Sequence, residues 1–108
     1  MAKRQCSVES VERLMNRLFK FYKNKRIFIT GHTGFKGSWM CKVLSMSGAR
    51  VYGYALEPNT NPNLFEGANI AAKMENSTIG NVCSYQSLLK SLKESDAEIV
   101  IHMAAQPL

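Results

Sequence analysis

Three glycines spaced three residues apart are the feature of this sequence that most directly suggests chemistry. Gly31, Gly34 and Gly37 stand in "FITGHTGFKGSW" (28–39), between an apolar run and a run of helical period. Gly31 would let the chain leave a strand in a tight turn, Gly34 would let the backbone approach a ligand, and Gly37 would let the helix pack closely. The helix start would offer N–H groups to a pyrophosphate. The pattern predicts a dinucleotide-binding turn, with glycines for packing alone as the alternative.

Four other side chains could take part in chemistry, and each has a structural alternative. Lys36 is the best candidate for a phosphate contact, or else an exposed lysine in a helix's first turn. His32 could touch a phosphate or a neighbouring loop, or cap the turn with its ring. His102 ends an apolar strand and is expected to be a partly buried structural histidine, while Trp39 is expected in the core. The sequence shows neither a Ser-His-acid order nor a pair of carboxylates, so it does not favour a hydrolase.

Composition narrows the class of protein. The length of 108 residues allows one domain, and no apolar run approaches the roughly 18 residues of a membrane span. Three cysteines without metal-ligand spacing predict thiols in a reducing cytoplasm and no metal site. Much of the net charge of +6 lies before residue 27. A solvated helix face is expected there, rather than contact with nucleic acid or a membrane.

The periodicity predicts the elements that hold the turn. An amphipathic helix capped by Ser7 is expected to run to about Tyr22. A second helix should run from Phe35 to a stop at Gly48, and a third should cover 84–95. The expected apolar faces of these two are Phe35, Trp39, Val43 and Leu44, and Tyr85, Leu88, Leu89 and Leu92.

Strands are predicted at 26–30, 50–54, 74–80 and 97–105, with a long connection over 57–72 that has one helical turn at 64–68. Strands alternating with helices imply an α/β fold with a Rossmann-like parallel sheet in the order 3-2-1-4 and flanking helices. Residues 1–24 are expected to form an N-terminal helix and residues 25–108 part of a dinucleotide-binding domain.

Several segments carry a family resemblance. "TGHTGFKGSW" resembles the cofactor turn of extended short-chain dehydrogenase/reductases, and in particular of the CDP-glucose 4,6-dehydratase family. "HMAAQP" (102–107), "GYAL" and "PNTNPNLFE" are similar to further segments of that family, so the resemblance covers about residues 20–108. It implies a tightly held NAD that takes a hydride from C4 of CDP-glucose. Water is then lost across C5 and C6, and the hydride returns at C6.

The resemblance also implies positions for the cofactor. The turn would line the pyrophosphate, the ends of the second and third strands would meet the adenosine, and the end of the fourth would lie by the nicotinamide ribose. The residues implied are Gly31, Thr33, Gly34, Phe35, Lys36, Gly37, Ala55, Asn81, Ala104 and Ala105. The usual acid at the second strand end is replaced by Ala55, so NADP is not excluded.

The family's catalytic Ser or Thr and its Tyr-x-x-x-Lys would lie beyond residue 108. We therefore expect an N-terminal part of a longer enzyme, with no catalytic residue, which binds the dinucleotide but turns over no nucleotide sugar. A related epimerase or reductase, or a non-catalytic binding fragment, is the alternative. A sheet that ends at the fourth strand would leave an edge open to self-association.

Overall fold

The computed structural model describes residues 8–58 and 63–104. The helices are α1 (Val8–Tyr22), α2 (Phe35–Met46), α3 (Leu64–Gly67) and α4 (Tyr85–Ser95), with a 3-10 turn at Ile70–Lys73. The strands are β1 (Arg26–Thr30), β2 (Arg50–Ala55), β3 (Asn76–Ile79) and β4 (Ile99–His102). Each predicted helix and strand is present; β2 is one residue longer than predicted, whereas β3 and β4 are shorter than the predicted 74–80 and 97–105.

The four strands form one parallel sheet in the order β3-β2-β1-β4, which confirms the predicted fold class. The chain crosses the sheet in one direction from β1 to β2 and in the opposite direction from β3 to β4. Since such crossovers are right-handed, their helices lie on opposite faces. α2 therefore covers one face of the sheet together with α3, and α4 covers the other.

The core lies between the sheet and α2. Its buried apolar side chains are Ile27, Ile29, Cys41, Leu44, Val51, Phe65 and Ile70. The predicted apolar face of α2 is wrong in three of four residues: Phe35 is 69% exposed, Trp39 is 46% exposed and Val43 is exposed, and only Leu44 is buried. The first turns of the helix pack so closely on the glycine turn that the small residues Gly37, Ser38 and Cys41 take the inner face there. Trp39 lies near Lys42 outside the core.

The end of α2 follows the sequence prediction. Gly48 has a φ of +86°, the left-handed conformation that glycine adopts without strain. Its N–H donates to the Ser45 carbonyl, and the Ala49 N–H donates to the Leu44 carbonyl. This is the Schellman pattern, which satisfies carbonyl groups left over at a helix end.

The helices α1 and α4 bury fewer of their apolar side chains than the sequence predicted. In α4, Tyr85 is 68% exposed, against expectation, while Leu88, Leu89 and Leu92 are half-buried. α1 ends at Tyr22 as predicted, and Tyr22 packs against the core. The other side chains of its apolar face that the structure describes are exposed, and the Ser7 cap lies outside the described residues. Within residues 8–58 and 63–104, no helix is long and apolar enough to cross a membrane.

Candidate dinucleotide-binding site

The glycine turn lies at the carboxyl edge of the sheet, where β1 ends. The connection that leaves β1 covers one face, and the connection that enters β4 covers the other. The carboxyl ends of β1 and β4 therefore flank the switch point, which is where open α/β sheets bind their ligands.

Gly31 makes the tight turn that its position predicted. Its φ is +84°, and its N–H donates to the Tyr54 carbonyl at 3.0 Å. A Cβ at Gly31 would lie 2.8 Å from the Ala104 nitrogen and 2.9 Å from the Met103 carbonyl carbon. The turn is therefore pressed against the backbone that follows β4, and no side chain fits between them.

Gly37 and Gly34 differ in what requires them. A Cβ at Gly37 would lie 2.1 Å from the Gly31 carbonyl oxygen, so the fold itself requires glycine there. A Cβ at Gly34 would meet only the Gly31 carbonyl oxygen, at an ordinary 3.5 Å. Gly34 also has a φ of −76°, which any residue adopts. No contact of the described residues requires glycine at position 34, although glycine is also an acceptable N-cap residue.

The start of α2 is suited to an anion. Gly34 is the N-cap residue and supplies no side-chain hydrogen bond, and the first turn contains no acidic residue. The first N–H groups of a helix lack intrahelical partners, and its dipole is positive at this end. Lys36 is exposed in the same turn and adds a positive charge, while the exposed Phe35 ring lies beside it in sequence.

The other predicted residues reach this edge in different ways. Thr33 is buried, and its hydroxyl donates to the Leu56 carbonyl at 2.7 Å, so it ties the turn to the end of β2. Ala55 is the last residue of β2 and is 4% exposed. The Asn81 side-chain oxygen accepts from the Cys83 N–H at 2.8 Å. Ala104 lies behind Gly31, and Ala105 lies outside the described residues.

A hydrogen-bonded pair at the switch point was missed at the sequence level. The Thr30 hydroxyl oxygen lies 2.6 Å from His102 Nδ1 and accepts from the N–H groups of Met103 and Ala104. Which of the two groups donates to the other depends on the tautomer of the His102 ring. His102 is exposed, so the prediction of a partly buried histidine is wrong. No sequence spacing reveals the pair, because it joins adjacent strands far apart in the chain.

His32 contradicts both expectations for it. Its side chain is fully buried, so it reaches no phosphate, and its Nε2 lies 2.7 Å from the Ser77 hydroxyl of β3 instead of capping the turn. Burial lowers the pKa of the ring to about 4, although the Tyr54 backbone favours the protonated ring slightly. Nδ1 makes no well-formed hydrogen bond. His32 is therefore a neutral core histidine at neutral pH.

Neither of the two cysteines that the structure describes, Cys41 and Cys83, belongs to a metal centre. Across residues 8–58 and 63–104, no three His, Cys, Asp or Glu side chains are grouped to hold a metal ion. Burial raises the pKa of the Cys41 thiol to about 12, and Cys83 is exposed. A buried thiol with so high a pKa is chemically inert.

A parallel sheet of this order, with a glycine turn leading from β1 into a helix, defines the nucleotide-binding α/β domain of Rossmann type. The chain belongs to the NAD dependent epimerase/dehydratase family, whose model matches residues 27–108. α1 lies before the matched residues.

Individual relatives agree with the family. The chain is 51% identical over 88 residues to CDP-glucose 4,6-dehydratase of Salmonella typhimurium, a match that covers 82% of this chain and 24% of that protein. It thus spans about a quarter of that relative's length. The fold is similar to that of the epimerase Mth375 from Methanothermobacter thermautotrophicus, with a TM-score of 0.64, 21% identity and coverage of 86% of this chain and 26% of that one. A Burkholderia cenocepacia protein described as a candidate epimerase gives a TM-score of 0.59 at 23% identity, with coverage of 79% and 26%.

Proposed function

We propose that this chain is the dinucleotide-binding portion of a nucleotide-sugar 4,6-dehydratase that acts on CDP-glucose with NAD. The observation that carries the dinucleotide site is Gly34, a glycine at the N-cap of α2 that no contact of the described residues requires. The 51% identity to CDP-glucose 4,6-dehydratase supports the substrate. The family supports NAD as the cofactor.

The residues present suit a dinucleotide. The backbone at Gly34 would admit the pyrophosphate, the first N–H groups of α2 would donate to it, and Lys36 would supply a charge. Gly31 and Gly37 would keep the turn in place, since each fills a position where a Cβ would strike backbone. NAD, when bound, supplies the group that accepts a hydride from the sugar and returns it.

Further residues would set the position of the cofactor's two ends. Ala55 and Asn81 stand at the carboxyl ends of β2 and β3, on the side where the adenosine would lie. Ala104 and Ala105 would lie by the nicotinamide ribose. Ala55 offers no carboxylate for a ribose 2′-hydroxyl, and the next acid along the chain, Glu57, is exposed. NADP is therefore not repelled at this position.

Two alternatives have a specific observation behind them. The family includes epimerases as well as dehydratases, so a related nucleotide-sugar epimerase or reductase is the alternative for the longer enzyme. A non-catalytic dinucleotide-binding chain is the second, because this sequence spans 24% of its dehydratase relative. Incubation of the chain with CDP-glucose and NAD tests whether this chain converts the sugar by itself. We expect cofactor binding without formation of the keto sugar, since substrate positioning and proton transfer need groups from the remaining part.

The decisive experiment is a titration with NAD followed by backbone NMR. In the wild-type chain we expect amide shifts at residues 31–37. Gly34→Val should abolish them while the remaining spectrum stays dispersed. Gly67→Val is the matched control on α3, because a Cβ there meets nothing within 4 Å, while one at Gly34 meets only an ordinary contact at 3.5 Å. Shifts confined to α1, or equal shifts in the Gly34 variant, would contradict the proposal.

A further inference from the structure

The backbone of His32 belongs to the glycine turn, but its side chain extends away from the turn and across the sheet. Its ring crosses β2 above Gly53, where a Cβ would lie 2.5 Å from the ring's Cγ and 2.6 Å from Nδ1. The sheet register pairs Ile29 with Gly53 and Gly53 with Ser77, so the three residues form one row across three strands. The ring follows this row and ends at the Ser77 hydroxyl, 2.7 Å from Nε2.

The surroundings hold the ring in this orientation. Phe65 of α3 meets it edge to face, with ring centroids 5.3 Å apart. The methyl group of Met74 reaches the same space above Gly53. The Ser38 hydroxyl of α2 donates to the His32 carbonyl at 2.9 Å. None of these neighbours carries a charge, so the bond to Ser77 is the side chain's main polar interaction.

The backbone of His32 lies within the turn, between Gly31 and Gly34. The contacts that hold the His32 side chain therefore also hold the backbone of the turn in place relative to the sheet edge. A ligand held by backbone N–H groups needs those groups at fixed positions before it binds, since ordering them on binding costs affinity. The Ser77 hydroxyl is the anchor, and it lies on β3, near the strand end at which the adenosine would bind.

We infer that His32 is a positioning residue for the dinucleotide: its hydrogen bond to Ser77, made across Gly53, holds the glycine turn ready for the pyrophosphate. The inference rests on the proposed function, because it assigns a task within that site. The ring itself touches no ligand and acts only through the backbone of the turn.

The test compares Ser77→Ala with Ser77→Thr, because the first removes the hydroxyl and the second keeps it. Both changes are small and lie on a half-buried strand residue, so both variants should fold. For Ser77→Ala we expect binding of NAD to weaken about three- to tenfold, the net worth of one hydrogen bond. Hydrogen exchange of the amides at 31–37 should quicken in the same variant, whereas that in the centre of β1 should not. Ser77→Thr should keep wild-type values for both.

The outcomes separate the two proposals. If the wild-type chain shows no NAD-dependent shift at 31–37, the dinucleotide site itself is wrong. If the wild type binds and Ser77→Ala binds equally tightly, only the positioning role is wrong. Equal weakening in Ser77→Thr would also overturn it, because the loss would then not follow the hydroxyl. Exchange that quickens uniformly along the sheet would mean that the bond merely stabilises the fold.

Discussion

Replacing Gly37 with Ala should destabilise this protein far more than the same change at Gly34, three residues earlier. The added Cβ at Gly37 would stand 2.1 Å from the Gly31 carbonyl oxygen, about 1.3 Å short of the 3.4 Å at which ordinary contact begins. The obstacle is backbone, which cannot rotate away as a side chain does. Overpacking costs about 1–3 kcal/mol, and we expect the upper end here. The better helix propensity of Ala returns about 0.5–1 kcal/mol, which leaves a loss of about 2 kcal/mol.

At Gly34 the opposing effects nearly cancel. Ala restricts the unfolded chain, which stabilises by about 0.4–1 kcal/mol, but it is a poorer N-cap residue than Gly by a similar amount. We expect a net change within about 0.5 kcal/mol of zero. Thermal unfolding followed by circular dichroism measures both, with a fall of about 8–16 °C in Tm for Gly37→Ala. Similar Tm values for the two variants would refute the steric reasoning about the turn.

Four further outcomes are expected. The contribution of His32 to the free energy of unfolding should fall by about 3 kcal/mol between pH 7 and pH 4, because the unfolded chain protonates His32 near pH 6.5, whereas the folded ring, with its pKa of about 4, begins to protonate only at the end of that range; an NMR titration of the ring near pH 6.5 would contradict this. Iodoacetamide at pH 8 should label Cys83 long before Cys41, whose burial raises its pKa to about 12, as site-resolved mass spectrometry can check. Calorimetric titrations should give NAD and NADP affinities within about a hundredfold, roughly 2.7 kcal/mol, since Ala55 lacks a carboxylate and Lys36 adds charge; a larger preference would reveal a discriminating group. Sedimentation should show association that grows with concentration, through the open edge of β4, and a strict monomer would refute that edge argument.

The sheet could be predicted from sequence because its signals are local. Each strand is a short run of β-formers, each connection contains a helical period or turn residues, and right-handed crossovers leave few arrangements. Gly31 and Gly48 were predictable for the same reason, since a positive φ after an element is a local requirement that favours glycine.

The inner face of α2 was predicted from hydrophobicity alone, and hydrophobicity does not determine which face of this helix packs. The face that packs is chosen by the distance of approach, and the contact of Gly37 with the turn brings the helix too close for large side chains. Bulky residues such as Phe35 and Trp39 consequently lie outside, although a hydrophobicity pattern places them inside. Where a helix packs this closely, small residues rather than large apolar ones mark its inner face.

The hydrogen-bond partners of buried and edge polar residues could not be predicted from the sequence either. His32 with Ser77 and Thr30 with His102 join residues 45 and 72 positions apart. Only the register of parallel strands brings them together, and register is decided by the whole sheet. The space for the His32 ring depends in addition on Gly53, whose role no spacing indicates.

The glycine turn packs against the segment that follows β4, so the turn can be completed only after β4 has joined the sheet. Thr30 receives its hydrogen bonds from backbone groups 73 and 74 positions later, and the same segment closes the space behind Gly31. Closing so long a loop costs entropy that only the completed contacts offset. During synthesis, a nascent chain that has not yet released β4 from the ribosome can pair β1 with β2 but cannot finish the turn. The glycine turn thus acquires its final shape only after the segment that follows β4 has become available.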